Sequence, residues 1–180
     1  MTTAVAASVL ATHLTQKYVD RPGNPVENQP PLYDILHQFF PNLCKYERFI
    51  DLLPTLLGFV VLYLVLFRNV DYVKPCHTIA IMMFFRCITV MVTRLPSPIC
   101  AHVDKVVAIG GNNSCIFSGH VALTILFAYV IYRHAPSYRR PLLAYCIITS
   151  LLIAATRSHY TIDIIVAWIT VYAIIKAAKY

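Results

Sequence analysis

Charged residues are scarce in this sequence: they make up 13% of its 180 residues, against 58% apolar. Mean hydropathy is +0.64. A soluble domain carries about a quarter charged residues, so an ordinary water-facing globule is excluded. A basic arm or basic helix face is also missing. The formal charge is +7, but Lys and Arg lie in short joints between apolar runs, which suits lipid headgroups and argues against nucleic acid as a partner. The six cysteines (44, 76, 87, 100, 115 and 146) show no paired CxxC spacing, so no zinc site is implied. Cys87 and Cys146 fall inside apolar runs, as packing residues do. Cys100 and Cys115 share one loop and are candidates for a disulfide if that loop meets an oxidising lumen. No basic segment precedes the first apolar stretch, which argues against a cleaved signal peptide, and no internal repeat is present.

What the chain does have is apolar runs of spanning length. Five are clear, over Ile50–Phe67, His77–Leu95, Ser118–Arg133, Pro141–Thr156 and Thr161–Lys176; each is close to the roughly 17 to 25 residues that cross a bilayer. Thr3–Tyr18 is a weaker sixth, alanine-rich and interrupted by His13. The expectation is an all-α, polytopic membrane bundle of six helices in one catalytic domain, residues 1–180. Within it, residues 19–49 form a polar, proline-rich connector and an interfacial segment. Asp20–Pro31 is too rich in proline for a helix or central strand; Ile35–Phe40 is a short amphipathic stretch suited to the membrane surface.

Orientation follows from the joints. Arg68 and Lys74, then Arg133, Arg139 and Arg140, then Lys176 and Lys179 all fall on one side of a six-span chain. The positive-inside rule makes that side cytoplasmic, although the opposite, longer loops hold as many Lys and Arg.

Two chemically loaded segments open spans. Ser118-Gly119-His120 begins one and His159-Tyr160-Thr161-Ile162-Asp163 another, with one complete hairpin between them. Both histidines therefore return to the same side at the same depth. If the second helix starts at or before His159, Asp163 lies on its face one turn away. A carboxylate there takes the proton of one imidazole nitrogen and leaves the other lone-paired, ready as nucleophile or base. Each residue alone would read as a helix cap or interfacial anchor. Two histidines converging on one face, one backed by an acid, favour chemistry. No HExxH or similar spacing supports a metal centre.

Arg86 lies inside a span, about 12 Å from its Arg94 end at the usual helical rise, and Thr89 and Thr93 continue its stripe. A guanidinium so placed suits a phosphate oxygen or a structural ion pair. Arg157 adjoins His159 and is the second phosphate candidate.

Four stretches, in order, resemble the sphingomyelin synthase family, within the type-2 phosphatidic acid phosphatase superfamily. Pro30-Pro31-Leu32-Tyr33-Asp34 resembles its first motif and the run from Arg86 to Pro98 its second. Phe117-Ser118-Gly119-His120 resembles the third, and His159 to Ala167 the fourth. The resemblance implies a six-helix fold, a lumenal or exoplasmic site in the Golgi, endoplasmic reticulum or plasma membrane, and a triad of His120, His159 and Asp163. By that analogy His159 attacks the phosphorus of a glycerophospholipid and forms a phosphohistidine. His120 protonates the departing diacylglycerol and then deprotonates ceramide, while Arg86, Arg157, Ser118 and Gly119 hold the phosphate. No cofactor is implied. The partners are membrane lipids, with a homo-oligomer left open.

Phosphocholine is the leading headgroup on this reading. Asn112-Asn113-Ser114, however, stands where the family carries Cys-Gly-Asp, and Val121 stands where it carries Thr, so ethanolamine and inositol stay open. Two other readings also stand: a lipid phosphate phosphatase in which water discharges the same intermediate, and an inactive lipid-binding homologue.

Overall fold

The computed structural model describes residues 2–19, 29–93, 95–96, 98 and 116–178. Arg94, Ser97, Cys100, Asn112-Asn113-Ser114, Cys115, Lys179 and most of the Asp20–Pro31 connector lie outside them. Among the described residues all regular structure is helical. The helices are α1 (Thr2–Val19), α2 (Ile35–Phe39), α3 (Glu47–Ile50), α4 (Leu52–Arg68), α5 (Val73–Val92), α6 (Gly119–His134), α7 (Arg139–Ala155) and α8 (Thr161–Ala177). Each predicted run is a helix within a few residues of its expected bounds.

Among the described residues three helical stretches are long and apolar enough to cross a membrane: Cys44–Arg68, Val73–Val92 and Pro136–Ala155. With 16 and 17 residues, α6 and α8 are shorter. The weak first run, α1, is a full helix lying along α5, where the Thr12 hydroxyl is 3.4 Å from the Cys87 sulfur.

Local chemistry sets the ends. α4 stops at Asn69, whose φ of 51° is left-handed, a conformation that asparagine tolerates better than branched residues. Ser118 caps α6 by accepting the Val121 amide, which satisfies one of the orphan donors of a helix start.

α6 is the centre of the bundle and packs on α4, α5, α7 and α8. Its Val121, Ala122 and Leu126 are fully buried, against Met82, Ile153, Ala167 and Val171 from its neighbours. Small residues allow the close approach: a Cβ on Gly58 of α4 would sit 3.2 Å from the Phe127 ring of α6. The outward faces stay apolar. Leu56, Phe59, Leu62, Leu66 and Phe67 of α4 and Ile165, Ile169 and Tyr172 of α8 are exposed, a surface suited to lipid tails.

The starts of α4, α6 and α8 and the ends of α5 and α7 meet at one end of the bundle. The Ser118 amide donates to the Asp163 carbonyl, His120 faces Asp51, and Leu43 donates to the carbonyl of Ala155. At the opposite end, Asp71, Lys74, Tyr129, Arg133 and His134 line a shallow cleft.

Candidate active site

The site is built from helix beginnings. α8 starts at Thr161, with Tyr160 as its N-cap, so His159 lies outside the helix. This corrects the expectation that a shared helical face brings His159 to Asp163. Asp163 is instead the third residue of α8 and reaches back over the helix start. Its Oδ2 accepts the Tyr160 amide at 3.0 Å and meets His159 Nδ1 at 3.0 Å. Its Oδ1 accepts the amide of Ile116 at 2.6 Å. The side chain is wholly buried. Three donors around an acceptor-only carboxylate satisfy it where an unpaired charge would be costly, and a negative group suits a helix N-terminus. With Nδ1–H donating to Asp163, His159 keeps its lone pair on Nε2.

Asp163 also joins the two motifs. Ile116 and Ser118 of the third motif bond its carboxylate and its carbonyl, so the start of α6 is fastened to the start of α8. His120, on the first turn of α6, is 44% exposed at its side chain, and its Nδ1 is 3.8 Å from Asp51 Oδ1. That separation is too long for a hydrogen bond but close enough for a charge contact when the ring is protonated.

Arg86 is buried and donates through Nη1 to the Phe117 carbonyl at 2.8 Å. Its Nη1 comes so near Gly119 that a Cβ there would sit 2.9 Å away. Gly119 therefore leaves room for the guanidinium at the start of α6. Thr89 turns its hydroxyl back to the Arg86 carbonyl. Ser118 has both its amide and its hydroxyl engaged, with Asp163 and Val121. Arg157 takes a left-handed φ of 57° and donates through Nη2 to the His37 carbonyl at 2.6 Å; its Nε is buried with no partner.

Residues given no role in the sequence complete the turn that carries His159. Asp34 accepts the Thr161 amide at 2.6 Å and the Thr161 hydroxyl at 2.7 Å. His37 Nε2 donates to the His159 carbonyl at 2.9 Å. The Tyr160 hydroxyl accepts from the Leu32 amide and donates to the Pro96 carbonyl. The signal was present in Pro30-Pro31-Leu32-Tyr33-Asp34, but only the fold puts that segment beside Thr161.

Burial pushes the Asp34 carboxyl up, but hydrogen bonds from Thr161 and His37 outweigh it and hold the group below its ordinary value. Its contribution to stability is therefore fully present above the unfolded carboxylate value of about 3.9 and is lost as pH falls through the lower folded value. Amide exchange in residues 32–40, followed from pH 6 to acid, is expected to rise only on the acid side of that window. Asp34→Asn is expected to remove the dependence.

Among the described residues no group of three or more His, Cys, Asp or Glu side chains is placed to hold a metal ion.

Comparisons with known proteins bear on the same region. Residues 113–180 match the family model described as PAP2 superfamily C-terminal, which takes in α6, α7 and α8. A phosphatidylinositol:ceramide inositolphosphotransferase of Oryza sativa is 37% identical over 67 residues, 36% of this chain and 21% of that protein. Phosphatidylinositol:ceramide inositolphosphotransferase 3 of Arabidopsis thaliana is 41% identical over 34% of this chain and 22% of its own length. Inositolphosphotransferase 2 of the same plant is 26% identical over 88% of this chain and 61% of its own length. The chain thus spans less than two thirds of each of these relatives.

Proposed function

We propose that this membrane protein, whose residues 113–180 carry a PAP2 superfamily C-terminal domain, moves a phosphorylated headgroup from a glycerophospholipid to ceramide. The observation that carries the reading is the contact between His159 Nδ1 and the fully buried Asp163 carboxylate. Because the carboxylate only accepts, it fixes the imidazole tautomer and leaves the lone pair on Nε2, the ring nitrogen not engaged by Asp163.

His159 Nε2 attacks phosphorus, the bond to the diacylglycerol oxygen breaks, and His120 supplies that oxygen with a proton. In the second half, His120 takes the proton of the primary hydroxyl of ceramide, whose oxygen displaces the histidine. The Asp51 carboxylate lies 3.8 Å from His120 Nδ1, a charge contact for the imidazolium that starts the first step and is regenerated by the second. Arg86, Arg157 and the start of α6 at Ser118 and Gly119 supply positive potential to the transferring phosphoryl group; the unpartnered Nε of Arg157 is a donor free for it.

Six helices, α1 and α4 to α8, cross the bilayer in this reading, with the basic joints in the cytoplasm and the site on the lumenal or exoplasmic face. Cys44, just before α3 at the site end, is disulfide-bonded, which suits an oxidising compartment.

The named relatives draw on phosphatidylinositol, so phosphoinositol stands beside the phosphocholine expected from the motifs. Purified protein in mixed micelles would be given fluorescent ceramide with phosphatidylinositol, phosphatidylcholine or phosphatidylethanolamine in turn. A modified ceramide formed from one donor and lost in His159→Ala is the expected result. Release of headgroup phosphate without such a product would assign the chain to phosphatases. No turnover of any donor would leave lipid binding alone.

A further inference from the structure

The pairing of His159 with Asp163 demands accuracy at a residue that helix geometry does not hold. His159 precedes the N-cap of α8 and follows Arg157, which is in a left-handed conformation. A non-glycine residue in that region is strained and persists only where the surrounding structure holds it.

The element that holds it is a segment more than 100 positions earlier in the chain. Every residue of the turn 157–161 except Ser158 is hydrogen-bonded to residues 32–37: Arg157 and His159 to His37, Tyr160 to Leu32, Thr161 twice to Asp34. The His37 ring also stacks on Tyr160, with centroids 5.8 Å apart. A carbonyl can only accept, so His37 Nε2 carries a proton and donates it to the His159 oxygen.

Asp34 does double duty. It caps its own short helix α2 through the His37 amide and it caps α8 from outside, at a position where the first amides have no partner within the helix. Asp34 and His37 are both buried, so these bonds form away from bulk water.

We propose that residues 32–37 are a clamp that sets the backbone of His159 and so the aim of its Nε2, with Asp34 and His37 as positioning residues. The proposal rests on the phosphotransfer reading for its kinetic consequences and on geometry alone for its structural ones. Neither residue touches the reacting atoms. Each acts through the turn: His37 by its bond to the His159 carbonyl, Asp34 by fixing Thr161, where α8 begins. Misplacing a reacting group by about 1 Å costs on the order of 100-fold in rate, so loss of either anchor should appear in kcat before it appears in substrate binding.

Two pairs of variants test this. His37→Phe keeps a ring against Tyr160 and removes the donor, whereas His37→Gln keeps a donor. Thr161→Val removes the hydroxyl, whereas Thr161→Ser keeps it. The expected result is a roughly 10- to 100-fold fall in kcat for the Phe and Val variants, with KM for donor and acceptor within about twofold. The Gln and Ser variants should recover most of that rate, and hydrogen exchange in peptides covering 157–163 should quicken only in the Phe and Val variants.

A fall in kcat matched by a general loss of thermal stability, with no rescue by Gln or Ser, would overturn the proposal. So would wild-type kcat in both Phe and Val variants. If wild-type protein transfers nothing, the function reading fails by itself. Exchange then decides the clamp: quickened exchange confined to 157–163 supports it, and unchanged exchange overturns it.

Discussion

Asp163→Asn is expected to lower kcat by about 10²- to 10⁴-fold, the range associated with a positioned acid or base, while leaving lipid affinity nearly unchanged. The carboxylate oxygens face three donors, from His159, Tyr160 and Ile116. An amide offers one oxygen and one NH₂, so in either orientation an N–H faces another N–H. With its oxygen toward Ile116, the amide presents its NH₂ to His159 Nδ1. The imidazole then turns acceptor at Nδ1 and carries its proton on Nε2, where the lone pair is needed. With the orientation reversed, the Ile116 amide is orphaned and the link between α6 and α8 weakens. An unsatisfied buried donor costs about 1–3 kcal/mol, so some loss of thermal stability accompanies either outcome. Single-turnover kinetics with an acid-quenched assay for phosphoenzyme would separate the effects. A rate fall far larger than the stability loss would allow marks orientation of His159 as the cause. Activity within threefold of wild type would remove Asp163 from the chemistry.

Gly119→Ala sets two effects of opposite sign against each other. Alanine in place of glycine stabilises a helix interior by roughly 0.8–1 kcal/mol through propensity, an upper bound at Gly119, the first residue of α6. Against this, the new methyl would stand 2.9 Å from Arg86 Nη1. The guanidinium is the end of a flexible side chain and can move. Arg86 is buried, however, and moving it breaks the bond to the Phe117 carbonyl. Hydrogen bonds to charged groups are worth about 1.5–3 kcal/mol, so the steric effect wins and the variant is expected to be destabilised by about 1 kcal/mol. The rate should fall more than that, because the displaced cation is one that the proposed mechanism places near phosphate. Arg86→Met supplies the control: in that background Gly119→Ala should become neutral or stabilising, and a double-mutant cycle over melting temperature and kcat would read the coupling. Additive effects would mean that the two side chains do not compete for space.

The helices were legible because their cause is local. Long apolar runs ended by Arg, Asn or Pro leave the backbone little alternative within a bilayer, and the helices found keep to the expected runs within a few residues. The hairpin count between the third and fourth motifs placed both helix starts at one end, where Ser118 and Asp163 are joined. The Arg86 side chain was foreseeable as a buried cation, since it lies so far inside a run. Its partner was not: a backbone carbonyl at Phe117 leaves no mark in a sequence.

The approach of His159 to Asp163 was read from spacing, but through a helical face that does not exist there. The contact comes from a side chain folding back over a helix start. Four-residue spacing fits both geometries, and only the folded structure separates them. Asp34 and His37 show the larger gap. In the sequence they fall within residues 19–49, read as a connector and interfacial segment with no role for either side chain, and the structure shows Asp34 capping the short helix there. The second function of that carboxylate, capping α8 through Thr161, joins residues 127 positions apart. Hydropathy and spacing are properties of neighbours, so they determined the membrane class, the helices and the triad candidates. Which distant amide meets which carboxylate depends on how the bundle closes, and the tertiary structure alone decided that.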